Sequence, residues 1–422
     1  MAIGDITKSQ IADHLFSDAD TSIPYFSVCH IDSTYYAIVY VTSIGDGKET
    51  YLKTFNISND GTSIVEVDSW VFELMNHRGP QIKKVHTSDF YAIFGNVYNY
   101  YSGVFTVLIS TIGIITDKVK IANEPLYAPE RINSHEGRME VSQRPGTNYF
   151  VASFGEDYIN RYRIVSISIS SIDGGIGSVA GYINFPRNTY GSENDIVYVA
   201  NGIFAIIYTD YQGSLHLITV QIGPTGLLTI LDNEATIPNA GNYNGREPTI
   251  CKPHFDQNIV AFAWWGTDSD GFLQTAGINS TTGAITLLSQ SEYDTGHGEG
   301  PGIETISTTG DVMIAVKSSS VTYTDSDAKI VTFNIDTDGA ITQLDSWDVG
   351  TAMSAPDFFD GRSELFQVGG TGSSIWGCVS SRVGPTHGHI FTFETESEAL
   401  PEVPDPTLLS PVDAIPKLTS GR

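Results

Sequence analysis

Apolar residues in this chain recur at every second position in short runs, and each run is closed by Gly, Asp or Asn. Lys329-Ile330-Val331-Thr332-Phe333-Asn334-Ile335 is one such run, followed by Asp336-Thr337-Asp338-Gly339 and then by Ala340-Ile341-Thr342-Gln343-Leu344-Asp345-Ser346-Trp347. Period-two runs bounded by turn residues predict antiparallel strands. Two further kinds of run belong to the same unit. One follows Gly245-Arg246-Glu247-Pro248, and the other has the form aromatic-Ala-Ile, as in Tyr36-Ala37-Ile38, Tyr91-Ala92-Ile93 and Phe204-Ala205-Ile206. The second and third runs are joined by a loop rich in Asp and Gly, such as Thr267-Asp268-Ser269-Asp270-Gly271. The four-run unit returns roughly every 50–60 residues, the period of propellers and arrays.

Seven copies of the first run are found, near Pro24–Cys29, Pro80–Val85, Met139–Gln143, Asn194–Val199, Pro248–Pro253, Pro301–Ile306 and Ser363–Val368. The last copy has a second run, Ser374–Val379, and a third, His389–Glu394, but no fourth. Its counterpart stands at the other end of the chain, where Gly4-Asp5-Ile6-Thr7 reads like Gly283-Ala284-Ile285-Thr286. The expectation is an all-β, seven-bladed β-propeller of four-stranded antiparallel blades over residues 1–396, in which residues 4–12 form the outer strand of the last blade. Joining the two chain ends removes the free edges of an open array.

At 422 residues the chain is long enough for two or three domains, and seven blades absorb nearly all of it. Cys29, Cys251 and Cys378 fall in strands of three different blades, which reads as three small buried hydrophobes rather than a disulfide frame or zinc site. The net charge is −27, from 49 acidic against 22 basic side chains, and such a surface repels phosphate backbones and anionic lipid. No apolar stretch approaches the ~20 residues needed to span a bilayer. Met1–Leu15 carries Asp5, Lys8 and Asp13 where a signal peptide needs an apolar core, so none is visible. Residues 397–422 hold five prolines, Pro401, Pro404, Pro406, Pro411 and Pro416, and form an extension beyond the ring.

Candidate chemistry collects in the loops between blades, which in a propeller gather at one end of the central channel. Arg78, Arg138, Arg246 and Arg362 occupy about the same place in four blades. Their recurrence has two readings: pairing with carboxylates of a neighbouring blade, or reception of an anionic or hydroxyl-rich ligand by guanidinium forks. A residue copied from blade to blade serves the repeat first, so the structural reading is preferred. His77, His135, Tyr190, Tyr243 and His297 each occur once in the same loops. Beside an Arg, a His/Tyr pair could run β-elimination on a uronic-acid polysaccharide, as propeller-shaped polysaccharide lyases do, but no spacing ties these residues together. Asp268, Asp270, Asp325 and Asp327 offer the oxygen ligands calcium prefers, in patterns that are also ordinary turn chemistry. No other cofactor is implied.

The succession Gly-Arg-Glu-Pro, apolar strand, aromatic-Ala-Ile strand, Asp-Gly loop, strand and Gly-Ala-Ile-Thr strand resembles the highly repetitive β-propellers of uncharacterised prokaryotic and metagenomic surface proteins. The resemblance covers residues 4–396, with Gly245–Thr286 the most faithful copy. The third blade lacks the Pro, and the sixth has Glu299 in place of Arg. The resemblance implies extracellular, surface or virion-associated display. The expected function is therefore a non-enzymatic binding or structural module that recognises a glycan or a protein, with self-assembly through the carboxy-terminal extension, and without nucleic acid or membrane insertion. The alternative is a polysaccharide-degrading lyase or hydrolase with its site at the channel mouth.

Overall fold

A computed structural model of the chain describes residues 5–16, 25–42, 49–72, 79–97, 101–121, 139–156, 161–186, 193–210, 213–237, 246–254, 257–266, 270–295, 298–307, 310–317, 329–349, 363–369, 373–382 and 387–396. These residues form seven four-stranded antiparallel sheets. The amino-terminal strand is β1 (Ile6–Leu15). Blade 1 follows as β2 (Tyr25–Asp32), β3 (Tyr35–Thr42), β4 (Glu49–Ile57) and β5 (Ile64–Phe72). Blade 2 is β6 (Gln81–Lys84), β7 (Phe90–Val97), β8 (Tyr101–Ile109) and β9 (Ile115–Ile121). Blade 3 is β10 (Glu140–Gln143), β11 (Tyr149–Glu156), β12 (Arg161–Ile169) and β13 (Ile176–Pro186). Blade 4 is β14 (Asn194–Ala200), β15 (Ile203–Thr209), β16 (Leu215–Ile222) and β17 (Leu228–Thr236). Blade 5 is β18 (Arg246–Cys251), β19 (Ile259–Trp265), β20 (Gly271–Ile278) and β21 (Ile285–Asp294). Blade 6 is β22 (Glu299–Thr305), β23 (Asp311–Lys317), β24 (Lys329–Ile335) and β25 (Ile341–Asp348). Blade 7 is β26 (Glu364–Gln367), β27 (Ile375–Arg382) and β28 (His387–Thr395), with β1 as its outer strand.

The first strand of each blade lies beside the first strand of the next, and β26 returns to β2, so the seven blades close into a ring. The second strands explain why this sequence packs blade on blade. Residues of both parities are buried there, as in Ile203–Thr209, since each blade is covered on both faces by its neighbours. The apolar core is accordingly divided among the blade interfaces. Trp264 and Phe262 of blade 5, for example, pack with Leu217 and Ile207 of blade 4.

One hydrogen bond fixes the spacing of the blades and repeats around the ring. In blades 1, 2, 3, 4, 5 and 7 a hydroxyl in the middle of the third strand donates to the carbonyl of the glycine in the next blade's outer turn. The pairs are Thr54 to Gly113, Thr106 to Gly174, Thr219 to Gly283, Thr275 to Gly339 and Thr392 to Gly61, at 2.6 to 2.9 Å, with Ser166 to Gly226 alongside them. The glycine is required at such turns. Gly226 has φ +84°, and a Cβ there would stand 2.5 Å from Ala180 Cβ and 2.6 Å from Tyr149. Thr392 to Gly61 is the same latch thrown from blade 7 to blade 1, across the closure of the ring.

Blade 7 is completed across the chain ends, as the sequence predicts, with the strand running Ile6–Leu15 rather than over residues 4–12. In each of blades 1 to 6 the outer turn is closed by a backbone bond such as Ser58 N to Ser63 O or Asp336 N to Ala340 O. In blade 7 the equivalent bond runs from Glu396 N to Asp5 O at 2.8 Å, joining two residues at opposite ends of the chain. The Gly-Arg-Glu-Pro phrase is read differently by the structure. Arg246, Glu247 and Pro248 lie within β18, where the register slips between Arg246 and Thr249 and Glu247 takes φ +50°. The phrase is thus a bulged strand start rather than a turn preceding a strand.

Candidate functional site

The first strands line the channel, and their register stacks seven side chains at each of two levels. The first level holds Ser27, Gln81, Glu140, Asp195, Thr249, Gly302 and Glu364. An inner strand has no partner on its channel side, so its N–H groups need acceptors from elsewhere. The first level supplies them. Glu364 Oε2 accepts Val28 N at 2.6 Å, Asp195 Oδ2 accepts Ile250 N and Thr249 Oγ1 at 3.0 Å, and Ser27 Oγ accepts Ile82 N at 3.4 Å. In each case the side chain comes from the preceding blade. Gly302 breaks the series because a Cβ there would lie 1.9 Å from Ser363 O in blade 7. Ser27, Gln81, Asp195, Thr249 and Glu364 thus hold neighbouring blades together.

Two residues along lies the second level: Cys29, Lys83, Ser142, Val197, Cys251, Glu304 and Phe366. Glu304 is half-buried and accepts a hydrogen bond from Thr305 N at 3.0 Å. Burial pushes its carboxyl up to about 7, the Thr305 N–H and the Lys83 ammonium pull it down, and the Glu364 and Asp195 carboxylates push it up further. Charges from blades 2, 4 and 7 thus meet at a residue of blade 6. Burial also raises the thiols of Cys29 and Cys251, which keeps them protonated; all three cysteines are free, Cys251 and Cys378 buried as expected and Cys29 half-buried.

The opposite end of the blades, where second strands hand over to third strands, has a different character in each blade. The equivalent cross-strand pairs near that end are Tyr40–Tyr51, Gly95–Gly103, Phe154–Arg163, Tyr208–His216, Trp264–Phe272, Val316–Lys329 and Ser380–His389. Tyr40 stacks on Tyr51 at 5.1 Å, Tyr208 on His216 at 5.3 Å and Trp264 on Phe272 at 5.4 Å. The basic members are held by acids or amides. His216 Nε2 lies 3.1 Å from Asp210 Oδ2, His389 Nδ1 lies 2.8 Å from Asp13 Oδ1, Arg163 Nε donates to Asn184 Oδ1 at 3.0 Å, and Lys329 pairs with Asp294. Tyr40, Phe154, Arg163, Tyr208, His216, Trp264, Phe272 and His389 are buried.

Arg78, Arg138, Arg362, His77, His135, Tyr190, Tyr243 and His297 lie outside the described residues, as do Asp268, Asp325 and Asp327 and the extension 397–422. Arg246 is described through its backbone alone, paired with Trp265. Asp270 sits at the entry of β20, where its carbonyl accepts Gly266 N at 2.8 Å. Asp336, in the equivalent of an Asp-x-Asp-Gly pattern, spends its carboxylate on Asp338 N and Ala340 N, which is turn chemistry. Among the described residues no three His, Cys, Asp or Glu side chains are grouped to hold a metal ion. Sequence reading missed Glu304, Lys83 and Asp195. The signal available was position, since each stands in a first strand, one of them opposite the Ala of an aromatic-Ala-Ile run.

Fold and channel together define the chain as a seven-bladed β-propeller. No family model and no curated protein matches its sequence. Solved structures do. The BP39L lectin of Burkholderia pseudomallei superimposes with TM-score 0.60 at 8% identity, over 90% of this chain and 98% of the lectin. The periplasmic gluconolactonase PpgL of Pseudomonas aeruginosa gives TM-score 0.56 at 13% identity, over 82% of this chain and 95% of that one. A putative 6-phosphogluconolactonase of Bacteroides fragilis gives 0.50 at 12% identity, over 82% and 94%. At these identities the likeness is one of fold.

Proposed function

We propose that this propeller is a non-enzymatic binding module that recognises a glycan or a protein at the end of the ring bearing the 2–3 and inter-blade connections, displayed on a cell surface, an extracellular appendage or a virion. The carrying observation is the contrast between the two ends of the blades. The outer-turn end repeats one latch from blade to blade, whereas the opposite end presents Tyr–Tyr, Gly–Gly, Phe–Arg, Tyr–His, Trp–Phe, Val–Lys and Ser–His. In repeat proteins the invariant part is the scaffold, and the face that varies between repeats is the one used for recognition. The fold is compatible with glycan binding, being shared with a lectin. The acidic surface favours neutral or cationic partners. Among the described residues no helix is long and apolar enough to cross a membrane.

A glycan array and a pull-down with the full chain test this reading. Saturable binding that is weakened at least about tenfold by Tyr243→Ala, His297→Ala or Arg246→Ala, with unchanged melting, supports it. Binding that is untouched by all loop changes and lost on latch changes counts against it. Glu304 favours a second reading, catalysis, because a channel carboxyl pushed up to about 7 by burial, within the electrostatic reach of Lys83, has a property sought in a general acid or base.

A further inference from the structure

Lys83 and Glu304 stand at the same level of the channel, on blades 2 and 6. In a ring of seven these blades are three steps apart, the widest separation possible, so the two charges occupy opposite walls. Each lies within the other's electrostatic reach, and the Lys83 ammonium pulls the Glu304 carboxyl down. They do not close an ion pair, and among the described residues Lys83 Nζ has no hydrogen bond either. The adjacent lysines are used differently. Lys84 Nζ donates to Ile31 O at 2.7 Å and Lys252 Nζ to Val199 O at 2.6 Å, each on the preceding blade. Glu304 accepts Thr305 N on one oxygen, and among the described residues the other has no partner. The two carboxylates nearest in effect are already engaged: Asp195 accepts Ile196 N, Thr249 Oγ1 and Ile250 N, and Glu364 accepts Val28 N.

A half-buried ammonium and a half-buried carboxyl that stop short of each other both lack the partner that would offset their desolvation. The walls between them are apolar or weakly polar. On one side stand Phe366 and Cys29, on the other Cys251, Val197 and Ser142. All of these but Cys251 keep solvent contact, whereas Ser27, Gln81, Glu140 and Thr249 of the first level are buried, so the channel has room at the level of the two charges. Opposite charges at the ends of an apolar gap match a ligand built the same way. We propose that the channel binds a small linear zwitterion, an ω-amino acid, with its carboxylate on Lys83, its ammonium on Glu304 and its methylenes against Val197 and Phe366. This is a second site, within the ring and independent of recognition by the loops.

Isothermal titration calorimetry of the full chain with glycine, γ-aminobutyrate and ε-aminocaproate tests this. At least one should bind saturably, and at least about tenfold tighter than the amine or the carboxylate of the same length, since each of those leaves one charge of the channel unpaired. Lys83→Met and Glu304→Gln should each weaken that binding at least about tenfold with parent-like melting, and Lys83→Arg, which keeps the charge, should retain more of it than Lys83→Met. At pH 7 binding should release protons, because a ligand ammonium holds Glu304 ionised, and the measured heat should then change with the ionisation heat of the buffer. The comparison of ligands needs the parent chain alone and decides the matter even where a variant fails to fold. No binding of any of these amino acids, equal binding of the singly charged compounds, or an affinity unmoved in Lys83→Met and Glu304→Gln would each overturn the proposal. Tyr243→Ala should leave this affinity unchanged, so glycan recognition can fail while the channel site remains.

Discussion

Thr275 shows what one hydroxyl does in this fold. It donates to Gly339 O of the next blade at 2.6 Å and accepts Ser289 N at 3.1 Å in its own blade. Thr275→Val keeps the shape and leaves both partners without their bond, at a cost of about 1–3 kcal/mol. Gly283→Ala adds a Cβ 2.6 Å from Leu231 Cβ and 2.8 Å from Thr219 Oγ1, at φ +73°, and should cost a similar amount. Thermal melts should fall by about 1 °C per kcal/mol for each variant, and unchanged melting in both would remove the latch from the account. Glu304 gives a pH-dependent counterpart. Its folded pKa, about 7, is above the ordinary carboxylate value of 4.5, so between those two values the folded state holds more protons than the unfolded state. Stability from this group therefore falls as pH rises through the window and levels off above it. Glu304→Gln should raise the melting temperature relative to the parent at pH 8 and not at pH 4.5; a difference that is the same at both pH values would contradict the assignment.

At the scale of the element, most of the architecture can be read from the chain, and the reasons are local. Period-two apolar runs and Gly/Asp turns announce the strands, and Gly4-Asp5-Ile6-Thr7 announces the closing strand because an outer strand repeats the turn that starts it. What cannot be read is any contact between blades. A threonine in a strand looks like β-propensity until Thr219 is seen 2.8 Å from Gly283 O, and Asp195 looks like a surface acid until Ile250 N is found on it. The candidate loops were legible as polar and Arg-bearing, but Glu304 and Lys83 were not, since only closure of the ring brings blades 2 and 6 to one channel. Deleting Met1–His14 tests the closing strand. The loss of β1 leaves the edge of β28 unpaired and removes the bond from Glu396 N to Asp5 O. The truncated chain should melt at least about 5 °C lower, and a shift within about 2 °C would reject the strand as a structural member.

For the molecule as a whole, a ring built from one repeated set of contacts divides its two ends between jobs. The latch end repeats one hydrogen bond in six of the seven blades. At the other end the equivalent pairs of the second and third strands differ from blade to blade, from stacked aromatic pairs to ion-paired residues. Among the described residues of the channel, Glu304 has its carboxyl pushed up to about 7 by burial. The most direct measurement is incubation of the full chain with a panel of neutral and anionic polysaccharides, reading unsaturated-uronate absorbance and new reducing ends beside binding. A binding module retains ligand and yields neither product. Product formation that drops ~100-fold or more in Glu304→Gln or His297→Ala, the size expected for removal of a general acid or base, would contradict it and make the ring an enzyme.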